Sequence, residues 1–116
     1  MSQVYVSITG LRLKQLWHAP RFWALAVPAM AEAQGAPGCL SASARTIRGV
    51  HHTLTVWESP AAMRRYLTMP KHLTAMKAFS GIATGKTIGY LADASPSWDE
   101  ARAIWDRDGR EYVPRG

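Results

Sequence analysis

Two stretches of this chain, residues 4–47 and 50–92, run through the same order of patterns: strand, helix, strand. From Val4 to Lys14 the residues alternate, with Val4, Val6 and Ile8 on one face and Tyr5, Ser7 and Thr9 on the other, which is the period of a strand. Pro20 suits the first turn of a helix, and Phe22, Leu25, Ala26, Ala29, Met30 and Ala33 then recur at helical spacing. Pro28 lies inside that helix and lacks a backbone donor, which predicts a kink. Gly35, Pro37 and Gly38 end it, Cys39–Ile47 reads as a second strand, and Arg48–Gly49 as a tight turn. Val50–Glu58 is the third strand. A helix from Pro60 to about Phe79, interrupted at Met69 and Pro70, and a strand Thr87–Ala92 complete the repeat.

Right-handed crossovers turn this order into an α+β domain, a ferredoxin-like βαββαβ plait with one antiparallel sheet and both helices on one face. The other sheet face is expected to be bare and apolar, so that a second copy would cover it in a homodimer. Past the plait, Ser97 and Glu100 form the S-x-x-E box that opens a helix. Trp98, Ala101 and Trp105 share one side of it and Gly109 ends it. The expected division is a barrel domain over 1–94 and a helical extension of the same domain over 95–116, docked through its two tryptophans on its own domain or across a dimer.

A chain of 116 residues, 47% of them aliphatic, aromatic or cysteine, suits one domain with one core. The most apolar run, Phe22 to Ala31, is half the roughly 20 residues of a membrane span and is broken by Pro28, so no membrane partner is expected. MSQVYVSITG lacks the basic start and apolar core of a secretory leader. A single cysteine, Cys39, fits a reducing cytoplasm. The formal charge is +6, spread along the chain, and reads as a solvated basic surface without a nucleic-acid footprint.

Among residues that can carry chemistry, His72 stands first. It shares a helical stripe with Ala75, Met76 and Phe79 and follows the break at Pro70, so it is expected at a cavity wall. As an imidazole there it is a base, a haem ligand, or a core residue held by one hydrogen bond. His51 and His52 are neighbours on a strand and point to opposite faces, which makes joint metal ligation awkward. His51 shares its face with Thr53, Thr55 and Trp57, a row that suits the wall of a pocket for a planar ligand. There is no C-x-x-C, H-x-x-x-H or H-E-x-x-H, so a metal held by protein ligands alone is not expected. GIATGKT has one residue too few between its glycines for a phosphate loop, and a strand follows it, so nucleoside triphosphate binding is rejected.

Over LTVWESPAAMRRYLTMPKHLTAM the sequence resembles the dimeric α+β barrel superfamily, known for antibiotic-biosynthesis-type monooxygenases, haem-degrading members among them, and for spheroidene monooxygenase-like proteins. The shared features are a strand ending in Thr-Val-Trp-Glu-Ser, a helix directly after it, and a histidine further on. The tail SWDEARAIWDRDGREY resembles C-terminal extensions of uncharacterised members. The resemblance implies a plait over Val4–Ala94 forming a dimeric α+β barrel. It further implies a largely apolar pocket per subunit for a small apolar or aromatic substrate, and oxidation of that substrate without a cofactor. His72 would be the catalytic base, with Trp57, Tyr66, Met76, His51 and His52 around the substrate. Haem bound through His72 is the alternative, a non-catalytic binding dimer the third. The chain departs from the haem-degrading members in carrying Met76 about where their axial histidine lies, Tyr66 near the place of their tryptophan, and no asparagine in VYVSITG.

Overall fold

The computed structural model describes residues 3–111. The chain runs β1 (Val4–Leu13), a single 3-10 turn (Leu16–His18), α1 (Ala19–Gln34), β2 (Cys39–Ile47), β3 (Val50–Trp57), α2 (Pro60–Leu67), α3 (Pro70–Ile82), β4 (Ala83–Ala92), α4 (Trp98–Asp108) and β5 (Arg110–Glu111). The strands form one sheet in the order β2-β3-β1-β4-β5, with every pairing antiparallel. This is the expected plait with a two-residue strand added at its edge. Residues 112–116 of the expected extension lie outside the described residues.

Local chemistry sets the boundaries. Arg48 (φ 51°) and Gly49 (φ 79°) both occupy the left-handed region, the requirement of the tight hairpin turn between β2 and β3. Ser59 caps α2 by accepting from the Ala62 amide at 3.2 Å. The expected interrupted helix is two helices. Met69 is extended (ψ 147°), and Pro70 restarts the chain as the first residue of α3, where its missing N–H costs nothing. The last plait strand begins at Ala83, four residues before the expected Thr87, because GIATGKT continues directly from α3 into the ladder against β1.

The two sheet faces differ in chemistry. On one, Val6, Ile8, Leu54 and Val56 are buried with Val50, a standard aliphatic layer. On the other, Ser7, Thr9, Leu11, Thr53 and Thr55 lie beneath α1 and α3. The aliphatic face is not bare. Ala101 and Trp105 of α4 pack onto it, with Trp98 at their side. A methyl group at Gly10 would collide with the Trp105 ring, so the glycine admits the indole against β1. Trp105 Nε1 donates to the Lys86 carbonyl at 2.7 Å, and the Lys86 ammonium sits 4.6 Å from the ring centroid. The expectation that this face is bare is therefore corrected: the chain's own tail helix packs on it through Ala101 and Trp105.

Candidate active site

Between the hydroxyl-bearing face of the sheet and the helices lies a cavity of about 360 Å³. A second lobe of about 310 Å³ shares Ser7, Thr9, Met63, His72, Met76 and Phe79 with it. The floor is made by Ser7, Thr9, Thr53 and Thr55, and Thr9 and Thr87 join hydroxyls at 2.9 Å across β1 and β4. The walls and roof are apolar and aromatic: Phe22, Trp23, Ala26 and Met30 from α1, and Ala75, Met76 and Phe79 from α3. Among the described residues no Lys, Arg, Asp or Glu lines the main cavity. Small hydroxyl side chains under a helical layer leave space that valines and leucines would have filled, and they offer hydrogen bonds to whatever enters.

His72 stands at the junction of the two lobes. Its Nδ1 lies 3.2 Å from the Leu67 carbonyl oxygen. A carbonyl only accepts, so Nδ1 carries the hydrogen and Nε2 keeps its lone pair. Burial holds the imidazole below the ordinary histidine pKa, against the opposing pull of the Leu67 carbonyl and the Glu32 carboxylate. The neutral ring with a basic Nε2 is thus the form present near neutrality. Its placement is fixed from α1: Glu32 accepts from the His72 amide at 3.1 Å and the Lys71 amide at 3.4 Å. This carboxylate satisfies the start of α3, where the Met69 side chain provides no cap.

The other expected site residues fall into distinct places. Tyr66 lines the cavity with its ring 4.7 Å from that of His72. Its hydroxyl donates to the Ala29 carbonyl at 2.9 Å, and burial, with Glu32 and Cys39 adding, pushes its pKa up to about 12. It is therefore a wall and a neutral phenol, not a base. Met76 borders both lobes, as expected from its stripe with His72. His51 forms the far end of the cavity, stacked on Phe22 (4.9 Å) and edge-on to Trp23 (5.1 Å), with Nδ1 2.8 Å from the Thr46 hydroxyl.

Two expectations are corrected. His52 borders the cavity only from its strand: strand alternation turns its ring to the aliphatic face, where it lies 1% exposed and edge-on to Trp105 at 4.6 Å. Among the described residues neither ring nitrogen makes a full hydrogen bond, and the Thr9 backbone offers at most a weak one. Trp57 shares the face of His51, but it lies behind Tyr66, stacked at 5.2 Å and fully buried, and does not reach the cavity. The residues that sequence reasoning missed are Ser7, Thr9, Phe22 and the fixing carboxylate Glu32. Ser7 and Thr9 carried a signal, being hydroxyls at alternating strand positions. Glu32 carried none, because its contact spans 40 residues of chain.

No group of three or more His, Cys, Asp or Glu stands ready for a metal ion among the described residues. Haem fits this lining poorly. His72 Nε2 is a suitable ligand atom, but among the described residues no Lys or Arg lines the main cavity to meet the two propionates.

No protein-family model and no curated protein sequence matches the chain. Solved structures do. SnoaB, a cofactor-independent oxygenase from Streptomyces nogalater, superposes with a TM-score of 0.64 at 18% identity, over 84% of this chain and 98% of that one. A candidate antibiotic biosynthesis monooxygenase from Deinococcus radiodurans superposes at 0.68 and 21% identity, over 79% and 96%. Another, from Caulobacter crescentus CB15, gives 0.65 and 20%, over 82% and 92%. The chain has the fold of these proteins.

Proposed function

We propose that the chain is a cofactor-free oxygenase of the antibiotic biosynthesis monooxygenase type, with His72 as the base. One observation carries this reading. A histidine with Nδ1–H held by the Leu67 carbonyl, and so with a basic Nε2, stands in an uncharged cavity with a hydroxyl floor. The SnoaB structure, of a cofactor-independent oxygenase, supports it through the shared fold.

The substrate class is a flat, apolar phenol or enol with an acidic C–H. Aromatic walls at Phe22, Phe79 and Tyr66 suit the rings, and the Ser7, Thr9, Thr53 and Thr55 hydroxyls suit its oxygens. His72 Nε2 takes the proton from the ring CH₂, and the carbanion reduces dioxygen and bonds to it. The imidazolium returns its proton to the peroxide anion, and the resulting hydroperoxide loses water to leave a ketone, so one oxygen atom enters the product and the other leaves as water. Burial lowers the dielectric around the pair, which favours a neutral base over a charged one. A cytoplasmic setting belongs to the same reading. So does a homodimer, with its contact changed: since α4 takes the aliphatic face, a second copy would pair along the outer edge of β2, where no other described strand bonds.

The test is oxygen consumption with an enolisable tricyclic phenol such as an anthrone, in protein stripped of metal. Turnover in the native chain and its loss in His72→Gln support the reading. Equal turnover in both, or a Soret band and activity only after haem is added, would overturn it.

A further inference from the structure

We propose that the end of the molecule where β1 leaves the sheet docks on an anionic lipid surface. Leu16 and Trp17, in the single 3-10 turn, are 88% and 73% exposed. The outward stripe of α1 continues from them through Pro20, Trp23 (38% exposed) and Val27 (61%). Large apolar side chains grouped like this on a surface mark a contact site.

Exposed cations surround the group. Arg12, Lys14 and Arg21 flank Leu16 and Trp17 along the chain, and Arg48 tops the β2–β3 hairpin at the same end of the sheet. A methyl group at the neighbouring Gly49 would lie 3.1 Å from the Arg12 guanidinium, which puts Arg12 against that turn. Through residues 1–57 the single carboxylate is Glu32, which is at the far end of α1 and occupied by the first amides of α3. Asp106, Asp108 and Glu111 belong to α4, which packs on the aliphatic face, and to the edge strand β5, and they stand among Arg107 and Arg110.

This charge pattern selects the occupant. A second copy in a two-fold contact would set these four cations against their own equivalents with no carboxylate between them. A nucleic acid would answer the cations but leave the aliphatic Leu16 and Val27 without a partner. A bilayer answers both: tryptophan and leucine enter the headgroup boundary while arginine and lysine meet lipid phosphates. The expectation of no membrane partner rested on the lack of a spanning segment, and docking of this kind needs none. Among the described residues no helix is long and apolar enough to cross a membrane.

Trp23 and Val27 also line the cavity, so the docked helix is one wall of it. The substrate class then narrows to an apolar molecule dissolved in the bilayer, a step that rests on the proposed oxygenase reading of the cavity. Docking itself does not.

Co-sedimentation of the full chain with vesicles of phosphatidylcholine containing about 30% phosphatidylglycerol, against phosphatidylcholine alone, tests the docking. Binding is expected to the anionic vesicles and to weaken as salt rises. Leu16→Ser with Trp17→Ser, and separately Arg21→Glu with Arg48→Glu, should each lower the partition coefficient by about tenfold or more with an unchanged circular dichroism spectrum. His72→Ala should keep full vesicle binding, so a failed oxygenase reading and a failed docking surface are told apart. Three results overturn the docking: no sedimentation with anionic vesicles; binding that ignores the Leu16/Trp17 change and is matched by an oligonucleotide; or a solution dimer that the Leu16/Trp17 change dissolves.

Discussion

His72 shows how little a residue's identity says before its partners are known. The Leu67 carbonyl fixes which nitrogen carries the hydrogen, Glu32 fixes where the backbone sits, and burial keeps the ring neutral. His72→Gln should lower turnover by about 10²-fold or more, the size of a lost general base, with the melting temperature nearly unchanged. The pH profile follows from the direction of the shift. The basic form is active and the folded pKa lies below the ordinary 6.5. Turnover should therefore rise with pH only in the acidic range, below about 6.5, and be flat through neutrality. A rising limb centred above neutrality would assign the base to another group. Tyr66 is not that group: with a pKa near 12 its hydroxyl stays protonated and tied to Ala29.

Elements are held by a few contacts that cross long stretches of chain. The start of α3 depends on Glu32 of α1, so Glu32→Ala should cost about 1 kcal/mol, like the loss of a helix cap, and speed hydrogen exchange at the Lys71 and His72 amides. Unchanged exchange at those two amides would mean that Glu32 does not hold the helix. α4 depends on Trp105, whose ring rests on Gly10 and whose Nε1 bonds the Lys86 carbonyl. Trp105→Ala should destabilise the fold by about 3–5 kcal/mol, as for other buried aromatics, measured by urea denaturation.

At the scale of the molecule, α4 decides whether the aliphatic sheet face is wet or dry. A chain ending at Ser95 would leave Val6, Ile8, Leu54 and Val56 uncovered. It should lose several kcal/mol and form larger assemblies than the full chain at the same micromolar concentration, read by sedimentation velocity. A truncated chain that keeps the oligomeric state and melting temperature of the full chain would show α4 to be an appendage. Acid should act on the whole fold as well. His51, His52 and His72 all have folded pKa values pushed below the ordinary 6.5, chiefly by burial. The unfolded chain then binds more protons as pH falls through about 6.5, so stability is full above that pH and declines below it toward the lowered folded values. His52 contributes first through burial and then through the positive Arg102, against an opposing pull from the Thr9 backbone. His52→Phe should flatten the acid limb of a melting-temperature profile.

By itself the sequence determined the order of elements. Strand alternation, Pro20, the Gly35–Gly38 stop, the Arg48–Gly49 turn and the Ser97–Glu100 cap are all signals between near neighbours, and the structure keeps β1, α1, β2, β3 and α4 within a residue or so of where they place them. The hydroxyl and aliphatic strand faces were equally legible in VYVSITG, and His72 was legible as a helix residue next to a break. Tertiary structure alone decided what each face meets. Nothing local indicates that α4 lies on Val6 and Ile8, that Trp57 stops behind Tyr66, or that Glu32 reaches across to His72. Those choices depend on contacts separated by tens of residues, whose loop-closure entropy and packing are settled only when the whole sheet has formed. The cavity is of the same kind. It exists because small hydroxyls on β1 and β3 face the large side chains of α1 and α3, a mismatch that no single segment contains.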